Sequence, residues 1–338
     1  MSDLQSRTIN VLRFPLIVGV IFIHTLPGIG VPDFLGILLS KELTQISVPT
    51  FYFLSGYLFF GGNSGELDLE SYKNKINRRK KSLILPYIVW LVVSVLPFFC
   101  IHILKIIAGH ESVSNLLNYC WNIDTWANGQ FNYHLWFLRE LIIVVLFSPV
   151  IYWGIKCLGV WCIAALLLIY MIDLRPNTAL FSSQSFLFFS WGAYYRIAIK
   201  REFVDVFRKY FKPLLSIGLC TLVLSIFVCM SDYEYSYIIH KIMIIFGVPS
   251  IILVGSKFAC KYSGGAMSQS SFFVYLSHVF LIPITGYLTT KLFMLDNVYV
   301  SILTYMLRPF LIAFLCVSIY VVLSKRHFKY FCLLTGNR

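Results

Sequence analysis

Asn10-Val-Leu-Arg13-Phe-Pro15-Leu-Ile-Val-Gly-Val-Ile-Phe-Ile-His24-Thr25 is an apolar run carrying two ionisable side chains, and its kind recurs along the chain. Of the 338 residues, 58% are apolar and only 13% are charged. A soluble domain usually carries about 25% charge. Half that density leaves too little material for a solvated surface, which excludes an ordinary soluble enzyme, a disordered chain, collagen and a disulfide scaffold. Thirty Phe, 21 Tyr and seven Trp suit an outer surface made of lipid. The expected class is an all-α polytopic integral membrane protein, whose apolar runs satisfy their own backbone hydrogen bonds.

Ten spans are read from the apolar runs, near 10–30, 43–61, 83–106, 135–154, 158–173, 181–197, 213–230, 237–256, 271–290 and 298–323. The fifth and sixth are short. The first contains Arg13 and His24 and has no small-x-small site after it, so it is not read as a cleaved signal. With the N-terminus inside, the inner side carries Arg7, Arg13, six cations in 73–81, Lys156, six in 196–212, Lys257, Lys261 and four near the C-terminus. That is 21 of the 28 Lys and Arg. This bias and an even span count put both termini in the cytoplasm, with 62–82 inside and 107–133 outside. The cation-free stretch 231–236 is read as an outer loop. The net charge of +13 is thus a topology signal, and nucleic acid is not expected as a partner. Nine Cys form no Cys-x-x-Cys pair, so no metal or disulfide is expected. Residues 1–338 read as one transmembrane domain with no soluble domain appended.

Ionisable groups inside spans are costly and normally face the bundle interior or an aqueous cavity. Arg13 and His24 are eleven residues apart, which brings them within about 20° of each other around a helix and about 16 Å apart along it. An Arg at the cytoplasmic mouth suits a phosphate, and a His deeper inside suits taking a proton from a nucleophile. Ser55-Gly56 in the second span suits close helix packing, with Ser55 a cavity-lining candidate. The run from Lys73 to Lys81 serves either as a stop signal touching anionic lipid or as a phosphate site, with Arg78, Arg79 and Lys81 the candidates. His134, Trp136 and Glu140 open the fourth span. Arg139 and Glu140 point about 100° apart and need separate partners. Tyr275 and His278 lie in the ninth span and Arg308 in the tenth, all as candidate lining residues.

Five segments, in this order, resemble the membrane-bound acyltransferase family 3. They are Arg13 with His24, the stretch from Pro49 to Tyr57, the basic run ending Leu85-Pro86-Tyr87, His134-Leu-Trp136-Phe-Leu138, and Tyr275-Leu-Ser-His278. The second-span and His134-Leu-Trp136-Phe segments most resemble those of the short members that O-acetylate surface glycans, such as enterobacterial common antigen. The resemblance covers nearly the whole chain. It implies about ten transmembrane helices, a cytoplasmic acyl-CoA donor and a carbohydrate or lipid-linked glycan acceptor. It also implies residence in a bacterial inner membrane. It carries over His24 as catalytic base and Arg13 as its essential partner. The family's Arg-x-x-Arg element maps onto Arg78 and Lys81, or in another register onto Arg79 to Lys81. Phe14 follows Arg13 where many members have Gly.

The expected reaction is O-acyl transfer, with acetyl-CoA as donor substrate and no permanently bound cofactor. His24 deprotonates the acceptor hydroxyl, or carries the acyl group itself as an intermediate. Tyr275, Ser277 and Trp136 are candidate oxyanion donors. A transporter or flippase for a glycan or another polar substrate is the rival, with Arg13, His24 and His278 along its path. The lack of visible internal repeats counts against it. A receptor or scaffold is a third reading, weakened by the cost of burying His24, Glu140 and His278 without use.

Overall fold

A computed structural model describes residues 1–62, 65–121, 133–172, 182–231, 236–293, 297–326 and 331–336. Residues 122–132 of the expected outer loop 107–133 and residues 232–235 of the expected outer loop 231–236 lie outside the described residues. The described residues are helical throughout, in the order α1 (Asp3–His24), α2 (Asp33–Gly36), α3 (Ser47–Phe59), α4 (Leu69–Arg79), α5 (Leu85–Ile107) and α6 (Val113–Trp121). There follow α7 (Trp136–Leu146), α8 (Ser148–Leu158), α9 (Val160–Ile172), α10 (Ser183–Tyr194) and α11 (Phe203–Lys209). The chain closes with α12 (Phe211–Met230), α13 (Ser236–Ala259), α14 (Gly265–Leu292), α15 (Val298–Lys325) and α16 (Phe331–Thr335).

The expectation of ten transmembrane helices is not met. Among the described residues, six helices are long and apolar enough to cross a membrane, or seven if one bent pair counts as a single span. The six are α1, the continuous stretch Leu69–Ile107, α12, α13, α14 and α15. Three of the ten runs fail on length. The α-helix in 43–61 has 13 residues, that in 158–173 has 13 and that in 181–197 has 12. At 1.5 Å per residue these rise about 18–20 Å, short of a hydrocarbon core of about 30 Å. The approach to α3 is spent in a π-turn (Ile37–Glu42) and a 3₁₀ turn (Leu43–Ile46). The run 135–154 is broken as well, because α7 and α8 meet at 59°. Pro149 stands in the first turn of α8, where its ring cannot continue the helix from α7. Six crossings would put both termini on one side and seven would put them on opposite sides, so parity no longer places both termini in the cytoplasm.

Two other stretches differ from their sequence reading. The basic run 73–81 is not a loop: α4 passes through a π-turn (Lys80–Ile84) into α5. The expected outer loop begins with helix α6.

Helix α1 sits at the centre. It is the most enclosed of the candidate spans, and it packs against α14, α13, α3 and α15. Ser2 caps its start, accepting from the Gln5 N–H at 3.2 Å. Its far end is held from outside. The Ser40 hydroxyl reaches the Phe22 carbonyl at 3.1 Å, and it bonds the Tyr305 hydroxyl at 2.7 Å. These contacts fix the turn that carries His24.

The tightest seam is α3 against α10. A Cβ added at Gly56 would stand 1.9 Å from the Phe189 carbonyl oxygen, and one at Gly192 would stand 1.9 Å from that of Phe53. The two helices therefore touch backbone to backbone, as small residues allow. This confirms packing as the use of Gly56 and fixes the wall on which Ser55 stands.

Candidate active site

A cavity of about 440 Å³ opens between α1, α3, α7, α14 and the turn after α4. Ile9, Arg13 and Ile17 line it from α1 at four-residue spacing, which is one helix face. Its other polar lining comprises Ser55, Arg79, Ser82, Ser268, Gln269, Ser271 and Tyr275. Two guanidinium groups thus face one mostly apolar space. Among the described residues neither Arg13 nor Arg79 forms an ion pair. A cavity carrying two guanidinium groups and no carboxylate on its wall is suited to an anion, which such groups grip with paired N–H bonds. Of the three cations proposed for phosphate binding, Arg79 reaches the cavity. Arg78 and Lys81 are exposed outside it.

His24 does not line this cavity. It stands further along the same helix in a cluster of imidazoles. The His24 and His278 rings have centroids 5.5 Å apart, and His134 meets His278 edge-on at 6.1 Å. Tyr133 packs against His24 at 5.3 Å. His278 and His134 are buried, at 0% and 1% exposure, whereas His24 is half-buried. His278 Nδ1–H donates to the Tyr275 carbonyl at 2.7 Å. That bond leaves Nε2 as the lone-pair nitrogen, buried and without a partner. An unmet buried polar atom costs about 1–3 kcal/mol. Tyr275 joins the two compartments. Its ring lines the cavity, and its hydroxyl donates to the His134 carbonyl at 2.5 Å.

The remaining candidates are placed as follows. Ser55 lines the cavity. Trp136 is half-buried in the first turn of α7, outside the cavity wall. Glu140 accepts from the Tyr52 hydroxyl at 2.8 Å, which supplies the partner its neighbour Arg139 could not. Arg308 is apart from both compartments, donating to the Ile282 carbonyl at 2.5 Å and to the Thr285 hydroxyl at 3.2 Å on α14. The hydrogens of Tyr275 and Ser277 are already given to backbone carbonyls. Sequence reasoning missed Tyr52, and it missed Ser268, Gln269 and Ser271. Ser271 and Ser268 sit four and seven residues before Tyr275 on α14, so its helical period could have found those two, whereas Gln269 lies about 120° around the helix from Tyr275. Among the described residues no group of three or more His, Cys, Asp and Glu is placed to hold a metal ion.

Residues 7–325 match the family described as "Acyltransferase domain", and the chain belongs to that family. It is a multi-pass member of that family, with six or seven candidate membrane spans among the described residues. It is also similar to the "Succinoglycan biosynthesis protein ExoH" of Rhizobium meliloti (strain 1021), with 28% identity over 202 residues. That match covers 56% of this chain and 53% of the relative, so the chain spans about half the length of the curated relative it matches. No solved structure matches the chain.

Proposed function

We propose that this acyltransferase moves an acyl group, acetyl in the first instance, from cytoplasmic acyl-CoA to a hydroxyl of a cell-surface or lipid-linked carbohydrate. The observation that carries the proposal is the division of one helix face between two compartments. Arg13 stands with Arg79 in the cavity, and His24 stands beyond it among imidazoles. A donor with phosphates at one end and a thioester at the other needs that order. Arg13 and Arg79 hold donor phosphate, with Arg78 and Lys81 as outer contacts for the nucleotide. The end of the bundle bearing these cations faces the cytoplasm of a bacterium, across its inner membrane. A carbohydrate acceptor extends to this chain what the name of the Rhizobium relative says of that protein.

His24 takes the proton of the acceptor hydroxyl as its oxygen bonds to the thioester carbonyl carbon. The tetrahedral centre then collapses, the carbon–sulfur bond breaks, and the proton passes from His24 to the departing thiolate. General-base help of this kind is worth roughly 10²–10⁴-fold. Trp136 keeps its place as a candidate oxyanion donor, because the other two donors proposed from sequence are engaged.

The test is thioester cleavage. Purified protein in nanodiscs, given acetyl-CoA and a glycan, should release free thiol in step with glycan supplied. Thiol release no faster than without protein, with acetyl-CoA or glycan crossing the bilayer intact, would return the chain to the transporter reading.

A further inference from the structure

The His24 ring lies against that of His278, whose Nε2 has no hydrogen-bond partner among the described residues. Their centroids are 5.5 Å apart and their planes 29° from parallel, a stacked contact, so the His24 ring must turn its edge toward His278 for a hydrogen bond to form between them. Two imidazoles joined edge to edge by an N–H···N bond of about 2.9 Å have centroids about 5.2 Å apart, since each nitrogen stands about 1.1 Å from its ring centre. The observed separation is slightly longer than that. On the His278 side the acceptor is ready. Nδ1 is bound to the Tyr275 carbonyl, and Nε2 is buried and unpartnered. On the other side, no hydrogen bond to the His24 ring is formed among the described residues. His24 is half-buried at a helix end, so it is the ring with room to turn. His278 is fully enclosed and anchored.

The other groups packed around the pair are Tyr133 and His134 from the turn before α7, and Tyr275 from α14. Among the described residues none is a carboxylate. A base histidine commonly has its second nitrogen oriented by a carboxylate, and no described residue supplies one here.

We infer that His278 Nε2 accepts an N–H hydrogen bond from His24 during transfer, fixing its tautomer and ring angle so that the opposite nitrogen faces the acceptor hydroxyl. This rests on the reading of His24 as base. His278 is a positioning residue. The reaction proton moves from the acceptor hydroxyl to His24 and on to the thiolate, and His278 keeps its own proton on Nδ1. The N–H···N bond strengthens as His24 gains charge, so the help is felt in the transition state.

The test uses the full chain in nanodiscs with acetyl-CoA and glycan, and compares His278→Leu, His278→Gln, His24→Ala and the double variant His24→Ala/His278→Leu. Leu removes the acceptor. The Gln side-chain oxygen can reach the Nε2 position. His278→Leu should lower kcat by about 10²-fold with KM for acetyl-CoA within about twofold, and His278→Gln should restore about tenfold of the loss. The double variant should be no slower than His24→Ala, because His278 acts through His24. His278→Leu turning over at the wild-type rate while His24→Ala is inactive would overturn the pairing and leave the base intact. Parallel loss of donor binding in both His278 variants would also overturn it, as a purely structural role. Wild-type turnover by His24→Ala would remove the base and the pairing together.

Discussion

At the residue scale, the proposed donor grip and the proposed proton transfer fall on separate residues, since Arg13 and Arg79 line the cavity and His24 does not. Arg79 lines the cavity with Arg13, whereas Lys81 is exposed beside it. A hydrogen bond to a charged group contributes about 1.5–3 kcal/mol, so Arg79→Ala should raise KM for acetyl-CoA by about tenfold or more. Lys81→Ala should change it by less than about threefold, since an exposed charge is largely screened. Steady-state kinetics on the two variants checks this, and an unchanged KM in both would return the run 73–81 to a topology signal. Arg13→Lys should weaken donor binding too, because a point charge cannot reproduce a planar two-pronged grip. The phasing of Arg13 with His24 was legible because both lie on one helix, whose period is known in advance. That His24 would meet His278 was not legible, because contacts between helices leave no spacing in the sequence. Arg308 shows the same limit from the other side. Its partners, Ile282 and Thr285, belong to another helix, and the residue read as lining a cavity is spent on them.

At the element scale, hydropathy located the apolar runs but did not reveal how each one winds. The run 43–61 is apolar enough to look like a span, yet part of it forms π and 3₁₀ turns before α3 starts. The break between α7 and α8 was written in Pro149, although an apolar window averages over it. The short helices do a different task from spanning: α3 walls the cavity, and α10 backs α3 through a backbone contact. Gly56→Ala should therefore push Phe189 away and destabilise the protein by roughly 1–3 kcal/mol, as overpacking does. A thermal melt in detergent, with a parallel loss of donor affinity, is the expected readout. An unchanged melting temperature would show that the seam gives way without penalty. Tyr52→Phe, which leaves Glu140 without its 2.8 Å donor, should cost a similar amount.

At the scale of the whole molecule, one helix fixes which sides are opposite. Helix α5 has 23 residues, a rise of about 34 Å, so the cations of 73–81 and the helix α6 lie across the bilayer from each other. In intact cells, an impermeant maleimide should label Cys120 when it is the one cysteine retained. It should not label a cysteine introduced at Asp68 or Leu69. The reverse pattern would place the cationic cavity on the wrong side for a cytoplasmic donor. The central claim is that His24 moves the proton in transfer from a thioester to a glycan hydroxyl. Its most direct test follows acetyl label from acetyl-CoA to the glycan, using purified wild-type protein and His24→Ala, with donor binding measured on both. The account predicts labelled glycan and an equal amount of free CoA thiol from the wild type, and neither above background from His24→Ala although it binds donor normally. Labelled glycan formed by His24→Ala at the wild-type rate would contradict it.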